Sequence, residues 1–146
     1  MVFLADGYAV SEKYPEAVSQ TVTVRPEPLT LLSALSAVTE HVGLTATVST
    51  TYNEPFHVAR KFASLDHLSG GRAAWNVVTS ANAAEALNFN QKDHLLHSLR
   101  YERAEEFLNV VTGLLNSWED DAFLYDKDQA VFADRSKLHT LNHKGE

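Results

Sequence analysis

The segment from Thr45 to Ser80 constrains the fold more than any other part of the chain, because it reads as strand, helix and strand in unbroken succession. Leu44 to Thr50 is rich in threonine and valine, as β-strands are. Pro55 suits the first turn of a helix that ends at the glycine pair Gly70-Gly71, and Ala73 to Thr79 forms the second strand. Strands joined through a single helix pair in parallel with a right-handed crossover, so the segment predicts a βαβ unit.

Further elements flank this unit on both sides. Met1 to Ala5 predicts a short apolar strand, and a polar loop follows from Gly7 to about Glu27. Pro28 begins a predicted helix whose apolar residues recur at helical spacing as far as Val42, and Gly43 is the residue expected to terminate it. Asn53 is the predicted N-cap of the next helix, over 54 to 68. A longer apolar stripe at helical spacing predicts another helix. Its members are Tyr101, Ala104, Phe107, Leu108, Val111, Leu114, Leu115 and Trp118.

Two architectures accommodate alternating strands and helices. A doubly wound sheet usually carries a glycine-rich G-x-G-x-x-G turn, which this sequence lacks. A (β/α)8 barrel places polar residues where its strands end, as Asp6, Ser49 to Thr51 and Thr79-Ser80 do here. Such a barrel typically takes about 250 residues. We therefore predict an α/β fold with a parallel sheet, a partial TIM barrel in one incomplete domain. Residues 1 to 118 supply its βα units, and 119 to 146 are a tail or the start of an insertion.

Composition excludes several classes of function. The 146 residues carry a formal net charge of −7, which disfavours binding to nucleic acid or to an anionic membrane. Cysteine is absent, so disulfides and thiolate metal sites are excluded and a cytoplasmic location is expected. His94 and His97 with Asp93 could suggest a metal site, but H-x-x-H without a third ligand or the H-E-x-x-H pattern is weak, and surface histidines are commoner, so we predict no metal.

Several stretches carry a resemblance to a known family. Beyond the βαβ segment they are FLAD at 3 to 6, EPLTLLSALSAVTEHVGL at 27 to 44, RYERAEEF at 100 to 107, SWEDDA at 117 to 122 and HKGE at 143 to 146. Together they resemble the bacterial luciferase-like, flavin-dependent monooxygenases, in the branch of nitrilotriacetate monooxygenase component A and dibenzothiophene-sulfone monooxygenase. The resemblance places the three strands at about positions 2 to 4 of the barrel and implies that the chain is part of a longer enzyme.

The resemblance also implies a cofactor, partners and a site. A separate flavin reductase supplies reduced FMN, which reacts with oxygen so that a small organic substrate is oxidised and cleaved. The positions that match FMN contacts of the family are Asp6, Thr47, Asn76, His97 and Tyr101; catalytic residues and substrate stay unassigned. The family further implies a homodimer through helices 28 to 42 and 54 to 68, with outward residues such as Phe56 and Phe62, and a cis peptide between Thr45 and Ser49.

Each site residue also has a plainer interpretation. Asp6 could be an ordinary turn aspartate, and Thr47 could reflect only the frequency of threonine in strands. His97 and Tyr101 stand four apart on one helix face, but spacing alone favours a histidine near a helix start and a core tyrosine. The alternative for the whole chain is a non-catalytic, truncated α/β module that acts in assembly or binding.

Overall fold

The computed structural model describes residues 1–10, 15–20 and 22–145, so part of the predicted loop over 7 to 27 lies outside the described residues. The elements are β1 (Val2–Leu4), α1 (Ala17–Gln20), α2 (Pro28–Ser36), β2 (Leu44–Ser49), α3 (Pro55–Ser69), β3 (Ala73–Val78), α4 (Glu85–Asn88), α5 (His97–Leu115), β4 (Phe123–Asp126), β5 (Val131–Ala133) and a 3-10 turn (Arg135–Lys137).

Three strands form a parallel sheet in the order β1-β2-β3. The register aligns Phe3 with Thr45 and Thr47 with Asn76. The predicted parallel βαβ unit is therefore confirmed. The expected cis peptide is wrong: the bonds between Thr45 and Ser49 are trans, because an unbroken ladder with β3 runs through all six residues of β2.

The core lies between one face of the sheet and three helices. Leu44, Ala46 and Val48 alternate along β2 and pack in one buried cluster with side chains of α2, α3 and α5. Thr45, Thr47 and Ser49 occupy the opposite face, because successive side chains of a strand point to opposite sides. The central strand thus has an apolar face covered by helices and a second face of small hydroxyl residues.

Helix α2 ends at Ser36, six residues before the predicted end at Val42, and Gly43 does not terminate it. The cause is Arg72, whose guanidinium donates to the carbonyl oxygens of Ser36, Thr39 and Val42 at 3.2, 2.8 and 2.8 Å. These bonds satisfy carbonyls that have no partner within α2.

The start of α3 also differs from the prediction. Glu54 occupies the N-cap position and makes no side-chain cap bond. Asn53 instead donates to the Tyr8 hydroxyl and to the Ser49 carbonyl, both at 2.8 Å. The predicted glycine stop is confirmed, since Gly70 caps α3 in the left-handed conformation with φ of 66°.

The apolar stripe of α5 divides between core and surface. Phe107 and Val111 are buried, whereas Tyr101 is 57% and Leu108 40% exposed. Phe62 of α3 is only 6% exposed, with its ring 5.7 Å from that of Trp75, so the expectation that it faces outward is wrong. It belongs to the core because it lies on the face of α3 that covers the sheet.

The segment after α5 folds as an antiparallel hairpin of β4 and β5. The Asp126 carboxylate closes its turn by accepting from the backbone N–H groups of Asp128 and Gln129, both at 2.9 Å. None of the helices in the described part of the chain is both long and apolar enough to cross a membrane.

Candidate functional site

A cleft of about 890 Å³ lies where the three parallel strands end, between the loop after β1 and helix α5. Its volume is within the ~300–1,000 Å³ range typical of ligand pockets. Three of the five predicted site residues line it: Asp6, Thr47 and Tyr101. The fold therefore brings together residues from the first loop, the central strand and the last long helix.

The other two predicted residues are outside the lining but contact residues that belong to it. Asn76 donates from its side-chain amide to the Thr47 hydroxyl at 3.0 Å, as their paired register requires. The His97 ring lies beside that of Tyr101, with centroids 4.7 Å apart. Asn76 thus fixes the Thr47 hydroxyl, and His97 restricts the Tyr101 ring.

The strand ends are joined by hydroxyl groups. Ser80 donates to the Ser49 hydroxyl at 2.8 Å, and Thr51 donates to the Thr79 carbonyl at 2.8 Å. Ser80 has φ of 57°, a left-handed conformation that is uncommon for residues other than glycine. Because Ser49 and Ser80 both line the cleft, this strained turn forms part of its wall.

Two arginines of α5 hold the same strand ends. Arg100 is buried and donates through Nη1 to the carbonyls of Thr79, at 3.2 Å, and Ser80. Arg103 donates to the carbonyls of Thr50 and Asn53, both at 3.0 Å. Arginine suits this role because its fork of donors reaches several carbonyls at once. We call Arg100 and Arg103 the arginine pair; it fixes α5 against the cleft.

The cleft is acidic. Asp6, Glu85, Glu102 and Glu105 line it, and no lysine or arginine does so among the described residues. Burial raises the pKa of Asp6 above its ordinary value of 3.8; the Gly7 backbone N–H opposes this shift, and the charges of Glu27 and Glu85 add to it. The lining therefore favours neutral or cationic hydrogen-bond donors over anions.

Tyr8 is a cleft residue that the sequence did not indicate. Its hydroxyl accepts from the Asn53 amide at 2.8 Å, and burial raises the pKa of this phenol. Its ring meets that of Phe89 edge-on at 5.2 Å, and Phe89 stacks on Tyr52 at 4.5 Å. The FLAD stretch ends two residues before Tyr8, but nothing in its spacing links it to Asn53.

The residues considered for a metal have other roles. His94 shares a hydrogen bond of 2.7 Å with the Tyr52 hydroxyl through Nδ1, and His97 lies against Tyr101. Among the described residues, no group of three or more potential ligands is gathered in a way that could hold a metal ion.

Comparison with known proteins identifies the family. Residues 2–137 match the family model described as luciferase-like monooxygenase. The chain belongs to this family. The resemblance read from its motifs is therefore confirmed.

This luciferase-like chain has curated relatives in the expected branch. It is 58% identical over 147 residues to N-acetyl-S-(2-succino)cysteine monooxygenase of Bacillus subtilis (strain 168) and 51% identical over 152 residues to dibenzothiophene-sulfone monooxygenase of Rhodococcus erythropolis. These matches cover 100% of this chain, and 32% and 34% of those proteins. Nitrilotriacetate monooxygenase component A of Aminobacter aminovorans is 58% identical over 120 residues, 82% of this chain and 26% of that protein. The chain thus spans about a third of the length of the curated relatives it matches.

Solved structures of the family share its fold. A long-chain alkane monooxygenase superposes with a TM-score of 0.87 at 41% identity, over 99% of this chain and 35% of that one. A riboflavin lyase, solved with modified FMN and its substrate riboflavin, superposes with a TM-score of 0.86 at 38% identity, over 98% and 33%. The predicted fold class, an α/β fold that forms part of a luciferase-like TIM barrel, is confirmed.

Proposed function

We propose that this chain provides the flavin-binding strand ends of an FMN-dependent, two-component monooxygenase. A separate flavin reductase supplies reduced FMN, and with oxygen the protein oxidises a small organic substrate. The observation that carries the proposal is the cleft, which gathers Asp6, Thr47 and Tyr101 at the C-terminal strand ends of a luciferase-like chain. That edge is where barrel enzymes place their active sites. Relatives named as monooxygenases, one of them a component A, support the same reading.

The residues present fit a flavin. Thr47 and Ser49 are small, buried side chains of the cleft lining, so neither projects far enough to keep a planar ring away from β2. Asp6 can accept a hydrogen bond from a ring N–H or a ribityl hydroxyl, and Tyr101 can offer its hydroxyl from the opposite wall. The acidic lining does not suit a phosphate, so we assign the FMN phosphate to residues outside the cleft. When bound, the flavin supplies the redox chemistry, while these residues orient it.

The role of Tyr101 provides the test. In the protein that carries this sequence, Tyr101→Phe is expected to weaken reduced-FMN binding a few-fold to about tenfold, the effect of one neutral hydrogen bond of ~0.5–1.5 kcal/mol. Folding should change little, because Tyr101 is 57% exposed and the substitution keeps its ring. Anaerobic fluorescence titration measures the affinity, and urea melts measure the stability.

Tyr125→Phe is the matched control, because Tyr125 is 62% exposed and lies on the β4-β5 hairpin outside the cleft lining. It should leave flavin affinity unchanged. Absence of reduced-FMN binding by the parent protein would overturn the proposed function. Unchanged affinity in Tyr101→Phe would remove only the assignment of this hydroxyl.

A flavin reductase as partner can be tested separately. With reduced FMN supplied by a reductase and NADH, the hydrogen peroxide released per oxygen consumed should fall when an oxidisable substrate is added, because one oxygen atom then enters the product and the other is reduced to water. Photoreduced FMN should replace the reductase. A peroxide yield that falls with none of the organic sulfur and amine compounds tested would argue for the non-catalytic alternative.

A further inference from the structure

Glu85 is a buried carboxylate in the wall of the cleft. It is the first residue of α4, and only 5% of its surface is exposed. Its Oε2 atom is fully covered and has no hydrogen-bond partner in the part of the chain that the structure describes. Glutamate is almost never buried in this way unless something pairs with it.

The neighbouring protein groups do not satisfy this carboxylate. Arg100 is the other buried charged residue of the region. Its Nη1 atom binds the carbonyls of Thr79 and Ser80, its Nε atom is buried without a hydrogen-bond partner among the described residues, and the described structure shows no ion pair between Arg100 and Glu85. The loop after β1 approaches without a bond: a side chain built on Gly7 would place its Cβ 3.8 Å from Oε1 of Glu85.

Open space adjoins Glu85 on one side, because the residue lines the cleft together with Asp6 and Tyr101. The side chain lies in the wall that faces the proposed flavin position. Because Oε2 is covered, a partner that enters from the cleft would bind the carboxylate once the side chain rotates to turn this oxygen towards the cleft.

We propose that Glu85 is a further binding residue of the cleft, whose carboxylate accepts a hydrogen bond from an uncharged donor of the bound flavin. This inference rests on the proposed function. Asp6, Glu102 and Glu105 make the same lining acidic. The group of FMN that donates a hydrogen bond to Glu85 is therefore not the phosphate. The flavin offers two kinds of donor, the ribityl hydroxyls and the ring N–H groups.

Glu85→Gln tests the proposal. It keeps the size of the side chain and one acceptor oxygen but removes the charge that strengthens the bond. We expect the Kd of the protein for reduced FMN to rise about three- to tenfold, because a charge-assisted bond becomes a neutral one. Glu40→Gln is the control, since the Glu40 side chain is 89% exposed and lies outside the cleft lining; its Kd should stay unchanged.

Two flavins without the phosphate distinguish the donors. A ribityl donor predicts that Glu85→Gln weakens riboflavin but not lumiflavin, which lacks the ribityl chain. A ring donor predicts that both weaken equally. Either result supports the proposal.

Glu85→Asp is a second variant, which keeps the negative charge on a side chain that is shorter by one methylene group. It should also raise the Kd for reduced FMN, because the carboxylate no longer reaches as far. If both variants bind reduced FMN as the parent does, the proposal is wrong. A fall in their urea midpoints would then show that other groups of the protein satisfy the carboxylate. If the parent itself binds no flavin, the proposed function fails instead, so the two failures are distinguishable.

Discussion

Asp6 makes the stability of the fold depend on pH. Burial raises its pKa above 3.8, and the charges of Glu27 and Glu85 raise it further, against the lowering effects of the Gly7 N–H and Arg25. The folded state therefore holds this proton to a higher pH than the unfolded state does. Stability falls as pH rises from about 3.8 through the folded-state pKa and stays lower above it.

We expect Asp6→Asn to be more stable than the parent at neutral pH, because the amide has no charge to desolvate and still accepts the Gly7 hydrogen bond. The difference should shrink as pH falls towards 3.8, where the parent carboxyl becomes protonated as well. Urea melts across this range measure it. Asp93→Asn, at an exposed loop position, is the control. A difference that stays constant with pH would show that charge is not the cause.

Individual site residues could be predicted from the sequence only where they belong to a stretch that resembles the family. Asp6, Thr47 and Tyr101 follow from the resemblance and from the rule that barrel sites lie at strand ends. Tyr8 and Glu85 escaped notice, because their significance depends on contacts across the fold: the Tyr8 hydroxyl pairs with Asn53, 45 positions away. Sequence spacing cannot reveal such a pair.

At the level of elements, the hydrogen bonds of Arg72 fix the end of α2 and the segment between α2 and β2. Besides the three carbonyls after α2, it donates to the Thr39 hydroxyl at 3.0 Å and the Ser69 carbonyl at 2.6 Å. One guanidinium thereby joins the ends of α2 and α3 to the start of β3. Arginine is required, since lysine has no planar fork of donors.

Arg72→Lys is expected to destabilise the protein by about 1–3 kcal/mol, the cost of leaving part-buried carbonyls unsatisfied. Equilibrium urea unfolding measures the loss. Arg60→Lys, on the exposed surface of α3, should change stability by less than about 0.5 kcal/mol. Equal midpoints for Arg72→Lys and the parent would show that water satisfies these carbonyls as well as arginine does.

Strands were easier to predict than helix ends. Threonine and valine enrichment located β2, and each observed strand of the parallel sheet lies within its predicted range. The end of α2 was missed because Arg72 stands 36 positions after Ser36. The hairpin was missed because β4 and β5 have only four and three residues, too few for alternation to be evident.

For the whole molecule, the sheet and the helix layer both leave surfaces that another chain could cover. In the described residues β1 and β3 are the outer strands, and an unpaired strand edge invites association. Phe56 is 57% exposed and lines a groove between α3 and α5 together with Trp75 and Trp118. The proposed homodimer, through helices 28 to 42 and 54 to 68, would draw on such apolar residues.

If α3 contributes to a dimer, Phe56→Ser should shift the protein to monomer at tens of micromolar, because it removes an exposed aromatic contact. Light scattering coupled to size exclusion measures the mass. Phe132→Ser is the matched control, at 63% exposure on the hairpin. If Phe56→Ser stays associated, the strand edges are the better explanation. A monomeric parent would contradict both routes.

The arginine pair also sets the order in which the cleft can assemble. A ribosome releases the three strands before α5, so the carbonyls of Thr50 and Ser80 are hydrated until Arg100 and Arg103 arrive. Until then, Ser80 has no guanidinium to hold its left-handed turn. Closing a contact between segments so distant in sequence is slow relative to forming a local helix. The nascent chain can therefore form the sheet first, and the wall of the cleft is complete only after residues 100 to 103 have left the ribosome.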